Sequence, residues 1–159
     1  MDDSQLSDTT RSRCAYYRNI CGIPAGIDAE FDRIIVRAGV VGAIAMPAEL
    51  GTRVQDAMRH NRRTLGPIVS HSKSGRWTFL VRPDLSTEDI RLFAETFRIN
   101  VSVAPVGGEI VLPSPADDLS GRRRWVVPPL DTFRPSGAIV MEYVRKCARL
   151  PNDRTAGSP

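Results

Sequence analysis

Residues 67–82 read Pro67-Ile68-Val69-Ser70-His71-Ser72-Lys73-Ser74-Gly75-Arg76-Trp77-Thr78-Phe79-Leu80-Val81-Arg82. Two runs rich in β-branched and aromatic residues flank Ser72-Lys73-Ser74-Gly75, the pattern of strand, turn and strand. In the second run Trp77, Phe79 and Val81 alternate onto one face. Helical patterns lie on both sides. Pro47 stands at a helix start, where its missing N–H costs nothing. Leu50, Val54, Ala57 and Met58 then recur at helical spacing, which predicts an amphipathic helix over 47–61. After the strands, Ser86-Thr87-Glu88-Asp89 opens a second helix, with Ser86 as its cap and the acids near the positive end of the dipole. Ile90, Phe93, Ala94 and Phe97 form its expected buried stripe.

Further out, Ile34-Ile35-Val36 and Val40 to Met46 are apolar runs separated by Ala38-Gly39 and read as a strand pair. Val101 to Ala104 and Glu109 to Leu112 flank Gly107-Gly108, the pattern of a hairpin with a glycine turn. Arg123 to Val127 is a further strand, stopped by Pro128-Pro129. Residues 136–149 form a last helix with Ile139, Val140, Tyr143, Val144 and Cys147 inward. Residues 1–12 and 150–159 are polar and read as disordered tails around a domain at 13–149. The expected fold is a single α+β domain, with a mixed, mostly antiparallel sheet packed against three helices.

The bulk properties agree with one globular domain. The chain has 159 residues, 42% hydrophobic and 25% charged, which excludes a largely disordered class. No apolar run is long enough to cross a bilayer. The acidic start Met1-Asp2-Asp3-Ser4 is neither a secretory signal nor a transit peptide. The expectation is a cytoplasmic protein with no membrane partner. Cys14, Cys21 and Cys147 are an odd count, and Cys14 and Cys21 lie too far apart for a zinc knuckle. With only His60 and His71 besides, buried free thiols and no metal or cofactor are expected.

The net charge is +4, and of the 22 basic residues all but Lys73 and Lys146 are arginine. Arginine suits phosphate, because its planar fork donates bidentately and stacks on bases. A GC-rich coding bias gives the same enrichment, with Ala, Gly, Pro and Val beside it, so composition alone does not fix a phosphate partner. The helix-end cluster Arg59, His60, Arg62 and Arg63 likewise complements a C-terminal dipole.

No catalytic signature stands out. Gly-x-Ser-x-Gly, Gly-x-x-x-x-Gly-Lys and Gly-x-Gly-x-x-Gly are all absent. Ser70 and His71 are neighbours in an extended run and point to opposite faces. The adjacent aspartates Asp117-Asp118 fall in a Pro- and Ser-rich stretch and read as a solvated loop pair.

Two blocks carry a resemblance. Lys73-Ser74-Gly75-Arg76-Trp77-Thr78-Phe79 is similar to the Ser-Gly-Gly-x-His-hydrophobic-aromatic stretch of the bacterial and phage primase–polymerase domain. Gly107-Gly108-Glu109-Ile110-Val111-Leu112-Pro113-Ser114-Pro115, then Ser120-Gly121-Arg122 and Trp125, resembles that family's Gly-Gly, Pro-Pro-Ser and Ser-Gly-Arg segment. The resemblance spans residues 40–127 and implies a nucleic-acid or nucleotide ligand. It also implies a degenerate centre. The family's Asp-x-Asp falls at Ala45 and Pro47, its His at Trp77, and its third acid at Ser102. None of these side chains holds a divalent ion strongly or moves a proton. Short actinobacterial proteins labelled RNA polymerase β-subunit also resemble the chain through Arg-Trp-Thr-Phe-Leu and Leu-Pro-Ser-Pro-Ala-Asp. The catalytic motifs and size of that subunit are missing here.

Three functional readings follow. The leading one is a non-catalytic primase–polymerase-like domain that binds DNA, RNA or nucleotide through Arg59, Arg62, Arg63, Lys73, Arg76, Arg122, Arg123 and Arg124. Trp77 and Trp125 are expected in the core. The second is a regulatory accessory that docks a replication or transcription protein on the rigid loops Pro113-Ser114-Pro115 and Pro128 to Pro135. The third is an enzyme with an unrecognised site among His71, Asp117, Asp118 and Arg134.

Overall fold

The structure, a computed structural model, describes residues 8–156 and the side chains of 8–149. The expected tails at 1–7 and 157–159 lie outside the described residues. The chain runs α1 (Thr10–Asn19), β1 (Gly26–Asp28), β2 (Arg33–Arg37), β3 (Gly42–Pro47), α2 (Ala48–His60), β4 (Ile68–His71) and β5 (Arg76–Val81). It continues through α3 (Ile90–Arg98), β6 (Ser102–Val103), β7 (Glu109–Leu112), α4 (Pro115–Ser120), β8 (Arg123–Val127) and α5 (Gly137–Ala156). The α+β class stands, with two sheets and five helices among the described residues in place of one sheet and three.

The larger sheet has the order β6-β3-β5-β4-β8 and the smaller one β1-β2-β7, and every strand pair is antiparallel. β4 and β5 are the hairpin that residues 67–82 predict, with Val69 opposite Thr78 and His71 opposite Arg76. Helix α2 carries the chain from β3 over to β4, and β5 fills the gap between them. The path β3-α2-β4-β5-α3-β6 is thus a split βαβ arrangement, with β8 added on the outer side of β4.

Two expected pairings are corrected. β2 and β3 do not pair, and β6 and β7 are not a hairpin; each couple is divided between the two sheets. Both expectations rested on nearness in sequence. At Ala38–Val41 and at Ala104–Gly108 the chain crosses from one sheet to the other instead of turning back. The two crossings bond to each other: Ala38 N–H donates to Gly108 O at 2.9 Å, and Gly107 N–H donates to Ala38 O at 2.8 Å. Gly107 has φ +84°, a conformation that glycine adopts without penalty.

Two hydrophobic clusters sandwich the larger sheet. On one face Ile44, Met46, Ile68, Phe79 and Val81 meet Leu50, Val54 and Met58 of α2 and Val140, Met141, Val144 and Cys147 of α5. On the other, Ala43 and Leu80 meet Ile34, Val36, Ile110 and Leu112 of the smaller sheet, closed by Cys14 and Tyr17 of α1. All three cysteines are free and buried, as expected. Burial pushes each thiol pKa up.

Three local expectations also change. Thr10 to Ser12, assigned to a polar tail, begin α1. Thr9 and Ser12 exchange side-chain-to-backbone bonds in a capping box, and Cys14 and Tyr17 anchor the helix in the core. Leu150 to Ala156, assigned to the other tail, continue the backbone of α5. The residues after Pro113 form the short helix α4, whose capping box joins Ser114 to Asp117.

Helix α3 departs furthest from expectation. It begins at Ile90, capped by Asp89, whose carboxylate accepts from Arg91 N–H at 2.9 Å; Ser86 is not its cap. Its strongest apolar stripe faces outward: Ile90 is 81% exposed, Phe93 67% and Phe97 74%. The helix is held from its other side. There Leu92 and Ile99 touch the core, Thr96 is buried, and Glu95 receives a bidentate bond from Arg145 of α5 at 2.9–3.0 Å.

Trp77 is half-buried beneath α2, where Gly51 leaves it room. A β-carbon at Gly51 would lie 2.8 Å from Trp77 Cε3 and 3.1 Å from its Cβ. Alanine normally gains about 1 kcal/mol over glycine inside a helix. Here Gly51→Ala is expected to destabilise instead, by ~1–3 kcal/mol, because a packed ring must shift. A urea unfolding curve with tryptophan fluorescence checks this, and a midpoint at or above wild type refutes it.

Candidate functional site

Between the two sheets lies a cleft of about 360 Å³, lined by Ala43, Ala45, Ser102, Ala104, His71, Thr78, Arg123 and the β7 side. Strand alternation creates it. Residues directly opposite each other share a face, so the registers Ala45↔Thr78 and Ala45↔Ser102 put small side chains side by side on the face of the larger sheet turned away from α2 and α5. Small side chains here leave open space where the cluster beyond is filled by Leu80, Val41 and Ile110.

The polar groups of the cleft stand toward its β4–β8 side. His71 Nε2 lies 3.0 Å from Thr78 Oγ1. Arg123, opposite His71 in register, donates to Asp117 Oδ1 at 3.1 Å. Asp117 is itself 8% exposed and accepts the Ser114 N–H with its second oxygen. The expected solvated loop pair is therefore corrected. Asp117 is buried and paired, and Asp118 bonds Arg13 of α1 at 2.7 Å. Burial, then the Arg123 guanidinium, holds the His71 pKa below its ordinary value, while Asp117 opposes this.

The eight basic residues expected to bind nucleic acid fall into separate places. Lys73, in the β4–β5 turn, and Arg122 and Arg124, at the start of β8, are exposed at one end of the larger sheet. Ser72 ties the turn to β8 by donating twice to Arg122 O, from N–H at 3.0 Å and from Oγ at 3.2 Å. Among the described residues none of these three cations is in an ion pair. Arg123 and Arg76 are half-buried and already engaged. Arg76 donates to Ala45 O at 3.0 Å and to Asn100 O at 3.1 Å, clamping β6 to β3.

Arg59, Arg62 and Arg63 are exposed at the far end of α2. The start of that helix is bonded to the β4–β5 turn, since Ala48 N–H donates to Gly75 O at 3.0 Å. Thirteen residues at ~1.5 Å rise separate the two groups by roughly one helix length, ~20 Å. Arg62 takes the left-handed φ of +58° as α2 ends, a place where glycine is cheaper.

The positions at which the resemblance expects catalytic groups also divide. Ala45, Pro47 and Ser102 lie on the cleft face, while Trp77, opposite Met46, lies on the helical face. Trp125 is half-buried at the edge of the inter-sheet core, and its Nε1 donates to Tyr17 Oη at 3.0 Å. Of the residues offered for an unrecognised enzyme, His71 reaches the cleft together with Glu109, whereas Asp117 and Asp118 do not line it. Arg134 is elsewhere, donating to Cys21 O at 3.1 Å. The Pro128–Pro135 loop is tied down by Tyr16 Oη donating to Pro129 O at 3.0 Å, with Leu130 and Phe133 left exposed.

Sequence reasoning reached His71 and Arg123 singly and missed the cleft. Its signal was the alternating small series Ala43 and Ala45, which reads as ordinary strand filler. Among the described residues no group of three or more His, Cys, Asp and Glu side chains is arranged to hold a metal ion. No helix of these residues is long and apolar enough to cross a membrane.

His71 makes stability depend on pH. Its pKa is lower folded than unfolded, so between those values the unfolded chain binds more protons. The contribution is complete above the ordinary value of 6.5 and is lost as pH falls through the folded value. The melting temperature is expected to fall from about pH 7.5 to about pH 5, and His71→Asn is expected to flatten that slope. Equal slopes in both proteins would refute the assignment. No family model, no curated protein and no solved structure matches the chain, so its function is read from this geometry.

Proposed function

We propose that the chain is a non-catalytic, primase–polymerase-like nucleic-acid-binding domain. In this reading the β4–β5 turn and the start of β8 hold the phosphate backbone. The observation that carries it is the meeting of Lys73, Arg122 and Arg124 at one end of the sheet, exposed and, among the described residues, without acidic partners. Unpaired cations repel one another and favour a polyanion that shares them. The cleft opens from the same strands and, at about 360 Å³, has the volume for a flat ring. Its floor is the face of a split βαβ sheet turned away from α2 and α5, the kind of surface on which several RNA-binding modules lay single strands. His71, Thr78 and Arg123 would meet the polar edge of a base or sugar there, with Ala43 and Ala45 beneath it.

Single-stranded ligands suit this site better than duplex. A cleft between two sheets admits one strand, and Trp125 is already bonded to Tyr17 instead of standing free to wedge a base step. The chemistry assigned is binding alone. Ala45, Pro47, Trp77 and Ser102 offer neither a carboxylate nor an imidazole at the positions where the resembled family uses them.

Fluorescence anisotropy with labelled single-stranded DNA, single-stranded RNA and duplex DNA at two or more salt concentrations tests this. Micromolar binding to single strands that weakens steeply with salt is expected. Replacing Lys73, Arg122 and Arg124 by alanine should cost tenfold or more and reduce the log–log salt slope by about 2, at ~0.7 per lost phosphate contact. Replacing Arg59, Arg62 and Arg63 should change affinity much less. Absence of binding at low salt, or equal losses from the two triple variants, overturns the reading.

A further inference from the structure

We infer that the outward face of α3 is a self-association surface, and that its occupant is the same face of a second copy of this chain. The inference is independent of the nucleic-acid reading, since α3 lies on the opposite edge of the larger sheet from β8. It starts from the anomaly of the fold. Ile90, Phe93, Ala94 and Phe97 recur at i, i+3, i+4 and i+7, the spacing of a helix seam made for a partner helix. All four are exposed, and Phe93 and Phe97 stack with centroids 6.1 Å apart. Among the described residues, neither hydrophobic core uses this stripe. Leu92, Thr96, Ile99 and Glu95 already hold the helix from its other side.

The patch is large. An aromatic side chain offers ~150–250 Å², so Phe93 and Phe97, about two-thirds to three-quarters exposed, account for more than ~200 Å² between them. Two shallow hollows extend it. One, of about 130 Å³, lies between α3 and β6, and another, of about 150 Å³, continues past Thr87 and Val103 to Val106, which is 79% exposed. The whole reaches the several-hundred-Å² range at the upper end of what a monomer shows. Two such patches face to face remove on the order of 1,000 Å², the threshold for a specific interface.

The charge pattern selects a second copy as the occupant. Let two α3 helices run antiparallel about a two-fold axis placed between Phe93 and Ala94. Each Phe97 then meets the second copy's Ile90, and each Phe93 meets the second copy's Ala94, the one small residue of the stripe. The same register sets each Asp89 opposite the second copy's Arg98, so both ends of the seam carry opposite charges. Arg98 is exposed and, among the described residues, in no ion pair. A two-fold interface must be self-complementary in this way.

Sedimentation velocity on the full chain from about 1 to about 200 μM tests the inference. A monomer–dimer equilibrium in the micromolar range is expected. Replacing Phe93 and Phe97 together by serine should weaken dimerisation at least tenfold and leave the far-ultraviolet circular dichroism unchanged, since both side chains are exposed. Arg98→Glu sets acid against acid, and Asp89→Lys sets base against base, so each alone should associate more weakly than wild type. Mixing the two variants should restore association, because the mixed pair regains opposite charges at both ends. This recovery also separates the interface from the cap that Asp89→Lys removes. A wild type that stays monomeric to the highest concentration overturns the proposal, whether or not another protein binds the face. So does a dimer that ignores the serine substitutions, or a mixture no more associated than its components.

Discussion

Two backbone hydrogen bonds at Ala38 hold the architecture together. The chain leaves the smaller sheet for the larger one at Ala38–Val41 and returns at Ala104–Gly108, and nothing in either sheet's own ladder fixes one crossing against the other. Ala38 does so by donating to Gly108 and accepting from Gly107. Ala38 is 6% exposed, so these bonds are shielded from competing water and an unmade partner would be costly. Gly107 supplies the left-handed turn, and at Gly108 a side chain would press on Pro105 O, 3.0 Å from where its β-carbon would sit. The latch therefore sets the distance between two sheets that share no strand.

That distance has consequences on both sides of the latch. Toward β7 the sheets stand apart over Ala43, Ala45 and Ser102, and the cleft opens beside Pro105 and Gly108. Away from it, the same crossings form the wall of the hollow that leads past Leu85 and Val106 to α3. The two candidate surfaces are thus built on one structural element. They differ in chemistry because sheet alternation sends small and polar side chains one way and the apolar ridge of α3 lies at the other edge.

The sequence made local elements legible where a single periodicity governed them. Residues 67–82 announced their hairpin because a Ser-Lys-Ser-Gly turn can return the chain in only a few ways. Helix α2 was equally plain from Leu50, Val54 and Met58. Pairing between elements was not legible. Val40 to Met46 and Ile34 to Val36 are both good strands, and no feature of either tells which sheet it joins; that depends on the latch, a tertiary contact between residues about seventy apart. Helix α3 has the periodicity its sequence predicts, but its stripe faces away from the chain's own core. A stripe at helical spacing says that one face seeks apolar company, and it does not say whether that company belongs to the same chain. The basic residues were legible as a set, but their division needed the length and direction of α2. The cleft was hidden because its makers are alanines, whose contribution is the volume they do not fill.

The three cysteines divide as the cores do, Cys14 and Cys21 in the layer between the sheets and Cys147 in the layer of α2 and α5. Each is sealed and each has its pKa raised by burial, so little thiolate forms while its layer is shut. Alkylation then becomes a clock. The rate at Cys147 counts openings of the helical side, the rate at Cys14 and Cys21 counts openings of the inter-sheet side, and the molecule records without added labels whether its two halves breathe together or apart.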